Sequence, residues 1–185
     1  MFWGLFILLP WFPVHAEEYR GIIVGVIDGD TVTLLDTANR QLRVRLAEID
    51  TPESAQPYGH HAKQELSQLV HGKKVTVTGR GKDRYGRVIG RLYVEGVDVN
   101  AEMVRRGAAW VYRQYASDPA LYGLEEQARR DKAGLWGVPE AERLPPWEWR
   151  RAKQHKVTGG DTVSEEIPDM GGALCQWWKR VLAMP

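Results

Sequence analysis

Between Gly21 and Leu46 the chain reads as three strands in close succession, and that order limits the folds open to it. Ile22, Val24 and Val26 alternate with Ile23, Gly25 and Ile27, so both faces of the first strand are apolar. Asp28 and Gly29 give a strong turn signal, after which Thr31, Val32, Thr33, Leu34 and Leu35 resume β character, predicting a hairpin. In the third strand Leu42, Val44 and Leu46 face one way and Arg43 and Arg45 the other. That alternation sets Arg45 away from the core, free to meet a ligand.

From residue 58 to residue 70 the period changes. Ala62, Leu66, Leu69 and Val70 make the stripe of an amphipathic helix that His71 and Gly72 end. Val75 and Val77 mark a fourth strand, and Val88, Ile89, Leu92, Tyr93 and Val94 a fifth. Asn100 is placed to cap a short helix stopping at Gly107. Asp118 and Pro119 open another helix, with Glu125–Arg129 and Glu126–Arg130 as pairs on its wet face. The order predicts an α+β, mainly β fold: a five-stranded OB-type barrel with about three helices. Trp110 reads as core. Pro139, Pro145, Pro146, Trp147 and Trp149 predict an irregular extension packed on the domain by its tryptophans.

The domain is expected to occupy residues 17–153 of the 185. Residues 1–16 carry no Lys, Arg, Asp or Glu, and their apolar run reads as a secretory signal cleaved after Ala16. The run is short of the ~20 apolar residues of a spanning helix; an uncleaved interfacial anchor is the second reading. Export to the periplasm or the extracellular space follows. The single cysteine, Cys175, excludes an intramolecular disulfide. Residues 154–185 read as a flexible tail in which residues 173–183 suit a short amphipathic helix, touching a partner or membrane surface or packing back on the domain. No obligate protein partner is evident.

Charge is nearly balanced, 25 Lys and Arg against 24 Asp and Glu. Affinity for a polyanion must therefore come from local clustering. Three stretches supply it: Asp28, Gly29, Asp30 and Thr31; then Arg45 with Asp50, Thr51, Pro52 and Glu53; then Asp83, Arg84, Tyr85, Gly86 and Arg87. They offer hard oxygen donors suited to Ca²⁺ or Mg²⁺, a spare carboxylate able to take a proton from water, and guanidinium groups that fit phosphate oxygens. That is equipment for breaking a phosphodiester with a metal ion. Taken singly, Asp28 and Asp30 are ordinary turn residues and Asp50 to Glu53 an ordinary lead into a helix. Their combination with Arg45 and Arg87 points to a phosphate site. His60 and His61 lack ligand partners at suitable spacing and read as surface residues.

These residues resemble the staphylococcal-nuclease (thermonuclease) family. The likeness lies in residues 26–32 (VIDGDTV), 45–53 (RLAEIDTPE), 83–87 (DRYGR) and 103–107 (MVRRG); residues 134–136 and 146–151 resemble exported bacterial members. It covers roughly residues 20–153, and the motifs in order are far more specific than any one alone. The resemblance implies an OB-fold and a Ca²⁺-dependent nuclease acting on DNA and RNA with little sequence preference, leaving 3′-phosphate ends. By the same resemblance Asp30 and Asp50 would ligate Ca²⁺ through carboxylates and Thr51 through its main-chain carbonyl, with Asp28 beside the metal. Glu53 would activate water, and Arg45 and Arg87 would grip the phosphate. Tyr85 and Tyr112 match tyrosines of the nucleotide pocket, and the family's basic loop before the first helix is shortened here to residues 53–58. The competing class is a nucleic-acid-binding OB-fold module without catalysis, for which loss of the acidic and arginine residues is the mark.

Overall fold

Five strands close on one another around Ile23, Val32, Leu34, Val44, Val77 and Leu92, all fully buried. The computed structural model describes residues 17–158, with side chains as far as residue 154. The segments expected to be a secretory signal (residues 1–16) and a short amphipathic helix (residues 173–183), and Cys175, lie outside the described residues. Strand β1 (Glu17–Val26) pairs antiparallel with β2 (Thr31–Asp36), and β2 with β3 (Gln41–Leu46). A two-residue strand β4 (Ile49–Asp50) leads to helix α1 (Gly59–Val70). Strand β5 (Lys74–Lys82) returns to pair with β1 and then with β6 (Val88–Val94). Parallel pairing of β3 with β6 completes the ring, through Val44 with Val88, Arg45 with Ile89 and Leu46 with Gly90. This is the OB arrangement, with the helix between third and fourth barrel strands.

Beyond the barrel come β7 (Val97–Asp98), α2 (Val99–Arg105), β8 (Trp110–Val111) paired with β4, α3 (Pro119–Arg130) and α4 (Pro146–Thr158). Helix α1 buries Ala62, Leu66 and Val70, the i, i+4, i+8 row its sequence predicts. Asp118 caps α3 by accepting from the Ala120 amide at 2.9 Å, with Pro119 in the first turn.

Three local expectations are corrected. Asn100 is not the cap of α2: Asp98 takes that place, accepting from the Ala101 amide at 3.0 Å. Asn100 instead sits fully buried, accepting from the Leu92 amide and donating to the Ala47 carbonyl, so it ties the helix to the barrel. Glu125 is buried rather than on the wet face, and accepts from the Val111 amide at 2.9 Å. The third correction concerns the irregular extension, which contains 3₁₀ turns at Gly134–Gly137 and Glu140–Glu142 and then α4 as a fourth helix. Helix α4 lacks a regular apolar stripe, and its docking rests on two tryptophans: Trp149 is buried, and Trp147 packs edge-on against Trp110 at 5.9 Å.

The turn between β3 and β4 is fixed by a buried ion cluster. Glu48 has a left-handed backbone (φ 67°) and a side chain only 1% exposed. One carboxylate oxygen accepts from the Ser117 amide at 2.8 Å and the Ser117 hydroxyl at 2.7 Å. The other accepts from Nε and a terminal nitrogen of Arg91 at 2.9 and 2.6 Å. Arg91 also reaches Asp98 and Asp118, at 2.6 and 2.9 Å. Burial alone would raise Glu48; the Ser117 donors and Arg91 outweigh it and hold the carboxyl at about 2, below its ordinary 4.5. A lowered folded-state value means stability present above the ordinary value and lost as pH falls towards the lowered one. Acid unfolding is therefore expected to gain part of its steepness between about pH 4.5 and about pH 2 from Glu48. Glu48→Ala should cost about 3–5 kcal/mol in denaturant melts, because it leaves Arg91 buried with one of its three carboxylate partners gone.

Candidate active site at the rim of the barrel

The turn between β1 and β2 carries Asp28, Gly29 and Asp30. Asp28 accepts from the Asp30 amide at 3.0 Å, which locks the turn. Gly29 is required by space rather than by backbone sign: a Cβ there would stand 2.6 Å from the Thr51 hydroxyl oxygen and 2.8 Å from its Cβ. The turn thus lies directly on Thr51. The Thr51 amide donates to Asp30 at 3.3 Å, and the Thr31 hydroxyl to the other Asp30 oxygen at 3.0 Å.

Arg45 extends from β3, on the face opposite Val44 and Leu46 as the alternation predicts. It is not free, however. One terminal nitrogen donates to Asp30 at 2.6 Å and the other to Asp50 at 2.8 Å. Asp50, from β4, is only 1% exposed. One guanidinium therefore draws together two buried carboxylates from different loops. It does not satisfy both. Burial pushes Asp30 up to about 7 despite Arg45, with Asp28 and Asp50 adding to the rise. Burial works against Arg45 also, but Asp30 and Asp50 outweigh it and its value rises. Both values rise, for different reasons: two anionic partners outweigh burial at Arg45, while burial outweighs the shared cation at Asp30.

Glu53 stands at the mouth of this pair. Its amide donates to the Gln56 side-chain oxygen at 2.8 Å. Gln56 is buried, and its side-chain nitrogen donates to the Leu144 carbonyl at 2.9 Å, just ahead of α4. The shortened loop is thereby fastened to the C-terminal segment. From α4, Arg150 donates to Glu53 at 2.8 Å and to Asp50 at 2.7 and 3.3 Å. The sequence marks residues 146–151 only as a stretch resembling exported family members and gives Arg150, 100 positions from Asp50, no role.

A cleft of about 760 Å³ opens over these groups. Asp28, Arg45, Glu53 and Arg150 line one part of it, and Arg87, Tyr85 and Tyr112 another. Asp83 receives Nε of Arg87 at 2.7 Å and the Arg87 amide at 3.0 Å, so the tight turn presents the guanidinium. Tyr85 is 69% exposed, beneath the guanidiniums of Arg84 and Arg87 at 5.0 and 5.5 Å. The Tyr112 ring stacks on Trp147 at 5.5 Å. His60 and His61 are exposed on α1.

Among the described residues, no group of three or more His, Cys, Asp or Glu side chains is arranged to hold a metal. The predicted donor set is smaller, two carboxylates and a main-chain carbonyl. It fits a hard divalent cation: Asp30 and Asp50 converge on Arg45, Thr51 adjoins them, and burial raises the Asp30 carboxyl, so that a nearby cation would favour its ionised form.

Residues 43–138 match the model of the staphylococcal nuclease homologue family. The chain belongs to that family. It is 46% identical over 142 residues to a protein of Escherichia coli named an uncharacterized endonuclease, covering 76% of this chain and 91% of that one. It is 42% identical over 161 residues to a micrococcal nuclease of Shigella flexneri, covering 80% and 90%. A probable staphylococcal-like nuclease, CAN1 of Oryza sativa subsp. japonica, is 43% identical over 116 residues, 63% of this chain and 34% of that longer protein.

The raised value of Asp30 sets a sign. With the folded carboxyl at about 7 against an ordinary 3.8, the folded state loses stability as pH rises from about 4 to about 7. A bound cation favours the ionised form and cancels that loss. A hard divalent cation is therefore expected to raise the melting temperature, relative to chelator, more at about pH 8 than at about pH 5. Asp30→Asn should flatten this difference in the same melting series.

Proposed function

We propose that the protein is a Ca²⁺-dependent nuclease that hydrolyses phosphodiester bonds of DNA and RNA with little sequence preference. Cleavage leaves 3′-phosphate ends, and the enzyme acts after export directed by residues 1–16. The observation that carries the reading is the span of Arg45 across Asp30 and Asp50, next to Glu53, in the cleft lined by Arg87. Membership of the staphylococcal-nuclease family supports it, as do the nuclease names of relatives that align over most of the chain. The full set of acids and arginines favours an enzyme over a module that only binds.

Asp30, Asp50 and the Thr51 carbonyl would hold the divalent cation, which would supply positive charge to polarise a phosphoryl oxygen. The chain's own residues do the rest. Glu53, 40% exposed at the mouth of the site, takes a proton from a water in line with the leaving oxygen. Arg87 is held through Nε by Asp83, and among the described residues its terminal nitrogens meet no carboxylate. They are thus available to the equatorial oxygens, where charge grows in the transition state. Arg45 commits both terminal nitrogens to Asp30 and Asp50, so its contact with phosphate requires release of one carboxylate oxygen. Tyr85 and Tyr112 offer aromatic faces to the nucleotide.

Purified residues 17–185, incubated with plasmid DNA and with RNA, should degrade both in Ca²⁺ and neither in chelator. The DNA fragments should support polymerase extension only after phosphatase treatment; direct extension would contradict 3′-phosphate ends. Glu53→Gln should lower kcat by about 10²–10⁴ with a far smaller change in KM, as measured by initial rates. Arg87→Ala should raise the barrier by about 2.7–4 kcal/mol, the magnitude of a lost oxyanion-hole donor.

A further inference from the structure

We propose that Arg150 is a positioning residue of this site: from α4 its guanidinium holds Glu53 and Asp50 together and competes with the divalent cation for Asp50. The inference rests on the nuclease reading above and adds a residue to it. Arg150 reaches Glu53 at 2.8 Å and Asp50 at 2.7 and 3.3 Å, and so bridges two carboxylates of the candidate site. Its side chain is 37% exposed; Glu53 lines the cleft, and Asp50 is almost wholly buried.

The helix that presents Arg150 is fastened to the same loop it serves. Gln56 joins the Glu53 amide to the Leu144 carbonyl, buried Trp149 is the residue preceding Arg150, and Trp147 stacks on Tyr112 of the cleft wall. Glu53 is half-exposed and on a loop, where a free glutamate would sample several rotamers. A proton acceptor must hold one geometry to be effective, and a displacement of about 1 Å can cost about 10²-fold in rate. A planar guanidinium that grips Asp50 through both terminal nitrogens and reaches Glu53 through one of them supplies that restraint, which a lysine cannot reproduce. The same positive charge lies against Asp50, where it opposes cation binding.

Two variants test this, Arg150→Gln and Arg150→Lys, with wild type alongside. Three readings are taken: initial rates on DNA in saturating Ca²⁺, Ca²⁺ affinity by calorimetry without substrate, and the melting temperature. Arg150→Gln should lower kcat about 10- to 100-fold with KM changed less than about threefold. Its affinity for Ca²⁺ should rise at least about fivefold, because a competing cation has gone. Arg150→Lys should restore the wild-type Ca²⁺ affinity but only part of kcat. A loss confined to KM would make Arg150 a phosphate contact and overturn the positioning role. Unchanged kcat, or Ca²⁺ affinity that is unchanged or weaker in Arg150→Gln, would also overturn it. Loss of folding in both variants would make the residue structural and overturn it equally. A wild type inactive in Ca²⁺ overturns the nuclease reading instead.

Discussion

A single guanidinium holds the rim of the barrel together. Asp30 and Asp50 lie on separate loops, nearly without solvent, and two carboxylates so placed would repel each other and resist burial. Arg45 stands between them and answers both. It does so from a strand bonded on each side, β2 antiparallel and β6 parallel, so its backbone has little freedom. The closing pairs of β3 with β6 also bring the turn carrying Arg87 to the same end of the barrel. The arrangement is therefore frugal in its supports: one rigid strand sets the position of the acids and of the second arginine alike.

The nine residues 45–53 carry more of this architecture than any other stretch. Arg45 and Asp50 belong to the candidate site at the rim, and Glu53 to its mouth. Between them Glu48 points into a different ion cluster and locks Arg91, Ser117 and the start of α3. Fixing Glu48 fixes the chain on either side of it, so the short segment cannot slide relative to the barrel. A carboxylate spent on a structural ion cluster thus determines where Asp50 and Glu53 stand.

What was legible in the chain was whatever followed a period or a local motif. The strand alternation placed Arg45 opposite Val44 and Leu46, and the helical row of Ala62, Leu66 and Val70 placed α1. Tight-turn chemistry gave the Asp28–Asp30 and Asp83–Arg87 loops. Tertiary decisions were not legible. Asn100 has the right side chain for a cap, yet main-chain groups of the barrel claim it. Glu125 has the spacing of an exposed pair, yet an unpaired amide at Val111 draws it inside. Helix α4 has no apolar stripe to announce it, since its docking depends on two tryptophans and a distant glutamine. Arg150 is invisible for the same reason: its partners lie about a hundred residues earlier, and no spacing rule reaches that far. Glu48 left a faint trace, an acid between Ala47 and Ile49 in an otherwise apolar run.

Strand β3 is made early and waits for β6, its parallel partner, before the ring can close. Emergence from the ribosome is sequential, at about 5–20 residues per second. A nascent chain that has exposed only its first three strands and the turn after them has Asp30, Arg45 and Asp50 but no wall opposite them. Helix α4 docks later still, after residue 150 has appeared. The acids of the rim and Arg45 therefore stand without Arg87 and Arg150 until the later segments of the chain have been made.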